Sequence, residues 1–295
     1  MEEEKRRNWH DKYYKLFLII PALLLVFSLY VIYNFYQENG DIINKDISLT
    51  GGTSVTVNSD VELNDLKTYL TENGVDDFSV RGISDLRTGK QLAFMVETRL
   101  SPNEITPILE KYLGFELDSE NSSVEFTGES LSAGFYKQLR IALIIALVLM
   151  SFVVFLIFRN FVPSLAVILA AITDIIMTLA VVDLLGWKIS NAGIVAILML
   201  IGYSVDSDIL LTTRTLKTNK GSINSRLYGS FKTGITMTLT SMAAVSAALF
   251  VIYSFSEVLT QIFSIVLIGL GFDLINTYIT NVGILKWYME KRRMD

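Results

Sequence analysis

Long uncharged stretches dominate the pattern of hydrophobic and polar positions along this chain. A membrane-spanning helix needs roughly 20 predominantly apolar residues, and six stretches approach or exceed that length. The pattern therefore predicts six transmembrane helices. The first is too long to be a removed signal peptide, and no cleavage site of small residues follows it. The six stretches cover residues 16–36, 141–158, 161–185, 189–205, 233–255 and 258–285.

Between the first two apolar stretches, short runs alternate apolar and polar side chains, as β-strands do. Two predicted helices separate these runs. The second begins at Ser101, with Pro102 at its first position and Glu104 as the partner in a capping box. A turn over residues 85–90 joins the two middle strands as a hairpin. The order β-α-β-β-α-β predicts a ferredoxin-like α+β domain.

Composition and charge indicate a multi-pass α-helical protein of the cell (plasma) membrane. The chain is 51% hydrophobic and only 19% charged, whereas charged residues make up about 25% of a typical soluble domain. Lys and Arg cluster before the first stretch, between the fourth and fifth, and after the sixth, which places those segments on the cytoplasmic side. The predicted divisions are a cytoplasmic N-terminus (1–15), the first helix (16–36), an extracytoplasmic domain (37–138), helices two to six (139–285) with a cytoplasmic loop (213–232), and a cytoplasmic C-terminus (286–295).

Several kinds of chemistry are disfavoured by residue type. The predicted extracytoplasmic domain carries 18 Asp and Glu against 8 Lys and Arg, which argues against nucleic acid as a partner. The chain has no cysteine, which excludes disulfides and thiolate-bound metals, and its single histidine, His10, lies outside the predicted helices. Because no catalytic constellation is present, we expect no enzyme activity, no cofactor and no metal site.

Aspartates inside the apolar stretches are the candidate functional residues. An ionised Asp at the centre of a membrane helix costs roughly 2.5 to 3.5 kcal/mol. Yet Asp206 and Asp208 lie in the apolar run 198–214 that continues the fourth stretch, and the third stretch carries Asp174. Such residues mark ion pathways or form neutral hydrogen bonds between helices. We favour the ion role for Asp206 and leave both roles open for Asp174. For Asp208, and for Asp273 in the sixth stretch, the structural role is preferred.

Helix geometry separates the two aspartates of the fourth stretch. Residues two apart lie about 200° apart around a helix, so Asp206 and Asp208 face opposite sides. We expect Asp206, on the same face as Gly202, to point into the bundle. We expect Asp208, on the face of Ser204, to point toward the cytoplasmic interface. The candidates for proton or ion coupling are Asp206, Asp208 and Asp174, with Lys232 and Thr236 of the fifth stretch as possible partners.

Three motifs resemble those of the SecF family of protein-export subunits. "IGYSVDSDILLTTR" at 201–214 is similar to the family's fourth-helix motif, "LTGGTSV" at 49–55 to its Gly-Gly-Thr motif, and "AITDIIMTLAVVDLLG" at 171–186 to its third helix. The resemblance covers nearly the whole chain. It implies SecD, the SecYE channel and translocating polypeptide as partners in a lipid membrane, and membership of the RND superfamily of proton-coupled transporters. The motif positions are Gly51, Gly52, Thr53, Gly202 and Ser204.

The fourth-helix motif departs from the bacterial pattern of the family. Bacterial members carry Ser-Val-Asn-Asp-Thr, so Asp206 stands at their Asn, Ser207 at their Asp and Asp208 at their Thr. In the fifth stretch, Lys232 takes the place of an arginine. These departures resemble the archaeal branch of the family.

The sequence thus predicts a SecF-like subunit that assists protein export with SecD, driven by a proton or sodium gradient. One alternative is half of an RND-type exporter of small molecules or lipids, although such pumps normally carry two six-helix halves in one chain. A less favoured alternative is an intramembrane aspartyl protease. "GLGFD" at 269–273 has one residue more than the Gly-x-Gly-Asp segment of those enzymes. Small residues, among them Ala196 and Ala247, predict close contact with a second six-helix subunit.

Overall fold

The computed structural model describes residues 14–84, 90–217, 223–253 and 256–294. His10, most of the predicted turn at 85–90 and the middle of the predicted loop at 213–232 lie outside the described residues. The elements follow in the order α1 (Ile19–Asn39), α2 (Ile47–Thr50), β1 (Gly52–Val57), α3 (Leu63–Glu72), β2 (Phe78–Ser84), β3 (Gln91–Thr98), α4 (Pro102–Leu113), β4 (Ser122–Thr127), α5 (Glu129–Phe158), α6 (Phe161–Leu184), α7 (Asn191–Lys217), α8 (Ile223–Ile252), α9 (Glu257–Ile275), a π-helix (Asn276–Asn281) and α10 (Val282–Met294).

Six helical segments of the described chain are long and apolar enough to cross a membrane, which confirms the predicted number. The sixth is composite, because α9, the π-helix and α10 follow one another without a break. The candidate spans are Tyr14–Asn39, Glu129–Phe158, Phe161–Leu184, Asn191–Leu216, Ser225–Ile252 and Val258–Lys291.

Helices α6 and α7 form the centre of the bundle. Within an apolar segment of 18 residues in each helix, 61% of the residues of α6 and 56% of those of α7 are buried. The corresponding fractions are 11% in α5 and 6% in α8. The core around them includes Val167, Ile197 and Ile265. Helices α7 and α9 approach closely at Gly269, where an added Cβ would lie 2.4 Å from Leu200 Cδ2. Helices α5 and α8 therefore turn most of their apolar surface outward, toward lipid or another subunit.

The domain between α1 and α5 is an antiparallel sheet with strand order β2-β3-β1-β4, which confirms the predicted ferredoxin-like arrangement. Val55 of β1 is paired with Val96 of β3, and both side chains are buried. Leu66 of α3 and Ile105 of α4 belong to the same core, together with Phe94. The alternation read from the sequence thus becomes one apolar face covered by two helices.

The predicted capping box is present at the start of α4. The backbone N–H and the hydroxyl of Ser101 donate to Glu104 Oε2 at 2.8 and 2.7 Å, and Pro102 occupies the first helical position. These hydrogen bonds, the one from the hydroxyl first, lower the pKa of Glu104 because they stabilise the carboxylate form.

The Gly-Gly-Thr motif connects the membrane bundle to the domain. Gly51 and Gly52 have φ values of 87° and 147°, which favour glycine. A Cβ at Gly51 would lie 2.6 Å from the backbone at the start of α5, and a Cβ at Gly52 would lie 2.3 Å from Thr98 O. Thr53 is fully buried and donates to a backbone carbonyl at 2.5 Å. The motif is thus explained by close backbone packing.

The segment before β1 is hydrogen-bonded to the loop between α6 and α7. The Asp46 N–H donates to Ile189 O at 3.0 Å. In the same loop, Lys188 Nζ forms an ion pair with Asp77 Oδ1 of the domain at 2.6 Å. Gln261 Nε2 of α9 donates to Lys188 O at 2.6 Å. The domain is therefore linked to α9 through this loop.

Candidate functional site

Polar side chains from α6, α7 and the sixth span meet in the interior of the bundle. Each is at most 1% exposed, and buried polar groups need hydrogen-bond partners. We call this group the buried polar cluster; it consists of Asp174, Ser204, Ser207, Asp208, Asp273, Asn276, Thr277 and Asn281.

Asp174 joins α6 to both neighbouring segments of the cluster. Ser204 Oγ of α7 donates to Asp174 Oδ2 at 2.5 Å. Asn276 Nδ2 of the π-helix donates to Asp174 Oδ1 at 2.6 Å. Both carboxylate oxygens therefore have a donor, and Asp174 lies in the interior of the bundle.

Asp273 and Asp208 share a hydroxyl group. Thr277 Oγ1 lies 3.0 Å from Asp273 Oδ1 and 2.8 Å from Asp208 Oδ1. Ser207 Oγ lies 3.0 and 3.1 Å from the two oxygens of Asp273. A hydroxyl carries a single proton, so Thr277 can donate to only one of the two carboxyl groups at a time.

Asp208 also accepts from Asn281, whose Nδ2 lies 2.7 Å from Asp208 Oδ1. None of the ion pairs between described residues involves Asp174, Asp208 or Asp273. Removing charged carboxylates from water without a compensating positive charge costs several kcal/mol each. The cluster is therefore suited to binding positive charge, as protons or as a cation.

The π-helix supplies three of the eight cluster residues. Its wider turn is rare in proteins and is found frequently at functional sites. Asn276 and Asn281, at its two ends, reach Asp174 and Asp208 respectively. The π-helix therefore connects the sixth span to both α6 and α7.

The predicted orientation of α7 is wrong. Asp206 lies on an exposed stripe with Gly202 and Tyr203, whereas Asp208 is fully buried. The two aspartates do face opposite sides, but Asp208, one helical turn from Ser204, is the one that points into the bundle. The physical reason is that α7 packs between α6 and α9 through the Ser204 side. The sequence of α7 alone does not specify that contact.

Lys232 and Thr236 lie exposed on α8, and the structure does not bring them into contact with Asp206. Thr236 Oγ1 donates to Lys232 O within its own helix at 2.8 Å. Arg214, farther along α7, donates to Thr233 Oγ1 of α8 at 2.7 Å. We call the group Asp206, Arg214, Lys232, Thr233 and Thr236 the open polar face. The predicted coupling residues are therefore divided between this face and the buried polar cluster.

The two small residues predicted to meet a second subunit have different environments. Ala196 is fully buried within the bundle, because it lies on the side of α7 that packs against the chain's own helices. Ala247 is exposed on α8. The predicted contact through Ala196 is therefore wrong, whereas Ala247 remains available to a partner.

Sequence reasoning did not include part of the cluster among the predicted site residues. For Asn276, Thr277 and Asn281, the signal that could have found them is the polar run "NTYITN" at 276–281, inside an otherwise apolar span. Because that run forms the π-helix, its amides and hydroxyls reach two helices at once. The omitted residues are Ser207, Asp273, Asn276, Thr277 and Asn281.

A cleft of about 640 Å³ lies between β2 of the domain and the adjacent ends of α8 and α9. Its lining combines basic and aromatic side chains. Among the lining residues are Lys67, Phe78, Arg81, Trp187, Tyr253 and Gln261.

Comparison with known proteins gives consistent results. The family model described as "Protein export membrane protein SecD/SecF, C-terminal" matches residues 109–291. The chain is 38% identical over 291 residues to the protein-export membrane protein SecF of Methanocaldococcus jannaschii, covering 96% of this chain and 98% of that protein. It is also 38% identical over 288 residues to the SecF of Methanothermobacter thermautotrophicus, covering 95% and 94%.

Among solved structures, the chain is similar to SecDF, a translocon-associated membrane protein from Thermus thermophilus. The TM-score is 0.74 at 20% sequence identity. The alignment covers 97% of this chain and 39% of the SecDF chain. The likeness therefore establishes a common fold with a part of that longer protein.

Proposed function

Because this chain belongs to the SecF family of protein-export membrane proteins, we propose that it assists protein translocation together with a SecD-type subunit beside the SecYE channel. A proton or sodium gradient drives this activity. Moving one elementary charge through a potential of about 100 mV yields about 2.3 kcal/mol, which is enough to shift an equilibrium between two arrangements of the helices.

The open polar face is the observation that carries the proposal. Asp206 is exposed on a helix long and apolar enough to cross a membrane, and it has no hydrogen-bond or ion-pair partner among the described residues. In lipid, an ionised Asp at that position would cost roughly 2.5 to 3.5 kcal/mol. A second membrane subunit with complementary polar groups would remove this cost, so the open polar face is suited to a protein partner.

The size relation to SecDF supports a SecD-type partner. The name SecDF combines SecD and SecF, and the alignment with this chain covers 39% of the SecDF chain. The remaining length leaves room for a second unit with six helices and its own domain. An RND-type exporter would also need a second half, so identification of the partner discriminates between the two functions.

The contacts between the bundle and the domain provide a route by which a movement of the helices can reach the domain. Helix α9 carries Asp273 of the buried polar cluster, and three turns earlier it carries Gln261. Gln261 is hydrogen-bonded to Lys188 and to Ser190 of the loop between α6 and α7, and Lys188 is paired with Asp77 of the domain. A shift of α9 relative to α7 would therefore be transmitted to the domain.

The cleft beside β2 is the proposed contact for translocating polypeptide. Its mixture of aromatic and basic groups suits weak binding of extended chains of varied sequence. In the proposed orientation, both termini and the loop at 213–232 are cytoplasmic, since Lys and Arg concentrate there. The domain and its cleft are then extracytoplasmic, where an exported chain emerges.

Asp206→Asn in vesicles containing the partner subunits and the channel tests the proposal. The substitution keeps the shape of the side chain and removes its charge, so assembly should persist while gradient-dependent stimulation of export is lost. The matched control is Tyr203→Phe, which lies on the same exposed stripe and changes no charge. Undiminished stimulation by the Asp206 variant, or purification without a SecD-type subunit and channel, would overturn the proposal.

A further inference from the structure

Two acceptor atoms in the buried polar cluster have no donor, and they belong to one pair of side chains. Asp208 and Asn281 are fully buried, and Asn281 Nδ2 donates to Asp208 Oδ1 at 2.7 Å. The other oxygens of the same two side chains, Asp208 Oδ2 and Asn281 Oδ1, have no hydrogen-bond partner in the part of the chain that the structure describes. An ionised Asp208 has no proton to donate to the Asn281 oxygen, whichever way the amide is turned, so the carboxylate form cannot satisfy this pair.

We propose that Asp208 and Asn281 bind a proton between them as a carboxylic acid–amide pair. A proton on Asp208 Oδ2 would be donated to Asn281 Oδ1, while Asn281 Nδ2 continues to donate to Asp208 Oδ1. One proton thus supplies a partner to both unsatisfied oxygens. A hydronium ion supplies it when the helices part: one O–H bond of hydronium breaks, water leaves, and one O–H bond forms on Asp208, which converts the carboxylate into the neutral acid.

The surroundings of Asp208 favour this neutral form. Asp273 and Tyr278 on the sixth span and Asp174 on α6 interact electrostatically with Asp208, and none of the ion pairs between described residues includes it. The single hydroxyl proton of Thr277 faces both Asp208 and Asp273. If both aspartates were ionised, only one of them could accept the Thr277 proton. The hydroxyl of Thr277 is therefore a second, independent indication that the cluster has too few donated protons for all its acceptors.

The pair is separate from the open polar face, because Asp206 lies on the opposite side of α7. The site depends only on the fold of this chain. Its use in energy coupling rests on the proposed function. A proton held between α7 and the sixth span would keep those two segments together, and its loss would leave two buried acceptor oxygens of the pair without a donor, which would favour separation of the segments.

Infrared spectroscopy of the purified full-length chain in detergent tests the proposal. A protonated carboxylic acid has a C=O stretch that is separate from the carboxylate bands and shifts in deuterated water. Asp208→Asn should remove one such band and should still fold, because its amide can both donate to and accept from Asn281. Asp206→Asn, the same change two residues away on the exposed face, should leave that band intact.

Asn281→Leu provides a second measurement if the Asp208 variant fails to fold. The acid band should persist but move to the frequency of an acid without a hydrogen-bonded amide. A wild-type spectrum with no band sensitive to either substitution would overturn the proposal. Export is not the readout, so this failure is distinguishable from failure of the Asp206 experiment.

A sodium ion between the same two oxygens is the competing outcome. In that case, replacing choline chloride with sodium chloride should change the carboxylate bands of Asp208. Thr212→Val should then weaken the sodium effect, since the Thr212 hydroxyl lies one turn along α7, is fully buried and also lacks a partner. A sodium-dependent spectrum with no acid band would replace the proton with sodium as the bound ion.

Discussion

The close approach of α7 and α9 brings the α7 residues of the buried polar cluster next to those of the sixth span. Adding one methyl group at the point of contact tests this packing. In Gly269→Ala the added Cβ would lie 2.4, 2.5 and 2.9 Å from three carbon atoms of Leu200. Leu200 is fully buried, so its side chain has little room to move. Extra methyl groups in a well-packed core typically cost about 1–3 kcal/mol. The same separation of helices would loosen the contact between Ser207 and Asp273.

The expected result is a lower thermal midpoint for Gly269→Ala in detergent, measured as the fraction of monodisperse protein remaining after heating. A change of 1 kcal/mol corresponds to about 2–4 °C for soluble chains of 150–250 residues. Gly271→Ala is the matched control. It lies two residues away on α9, and its added Cβ meets no atom within 4 Å. It should be neutral or slightly stabilising, because Ala favours helix more than Gly does.

The double variant makes the test quantitative. Leu200→Ala alone leaves a cavity and should cost about 2–5 kcal/mol. In combination, the methyl group at Gly269 occupies part of that cavity, so the double variant should be more stable than the sum of the single effects predicts, by about 0.5–3 kcal/mol. Strict additivity, or a Gly269 variant as stable as the Gly271 variant, would refute the proposed packing.

Two further predictions concern the domain and the outer surface of the bundle. Because the folded-state pKa of Glu104 is lowered by Ser101, the stabilisation from this carboxylate is present above its unfolded pKa of about 4.3 and is lost as pH falls through the folded pKa. The protection of α4 amides against exchange, expressed relative to the intrinsic exchange rate at each pH, should therefore fall on acidification in the wild type and change less in Glu104→Gln. The Ala247→Cys variant should form a crosslink with a Cys in a SecD-type partner, whereas the Ala196→Cys variant should not. Crosslinking of both variants, or of neither, would contradict the assignment of α8 to the outer face of the bundle.

Features set by local sequence were predictable. The apolar stretches, the strand alternation and the capping box at Ser101 depend on neighbouring residues, and each has its counterpart in the structure. The side of α7 that faces inward was not predictable. Asp206 and Asp208 were correctly placed on opposite faces, but which face is buried depends on contacts with α6 and α9. The polar run at Asn276–Asn281 is visible in the sequence, but nothing in it specifies a π-helix, so its contacts with Asp174 and Asp208 emerge only from the fold.

The placement of two aspartates on one helix has a mechanical consequence. Helix α7 runs without interruption from Asn191 to Lys217, so Asp206 and Asp208 move together although they face different surroundings. If a partner subunit pulls or rotates α7 through Asp206, the hydrogen bonds that Asp208 accepts from the sixth span and that Ser207 donates to it must lengthen. Conversely, if Asp208 binds a proton as proposed, loss of that proton would weaken the contact between α7 and the sixth span and would shift the open polar face. Because α9 is also linked to the loop beneath the domain through Gln261, the same displacement reaches the cleft.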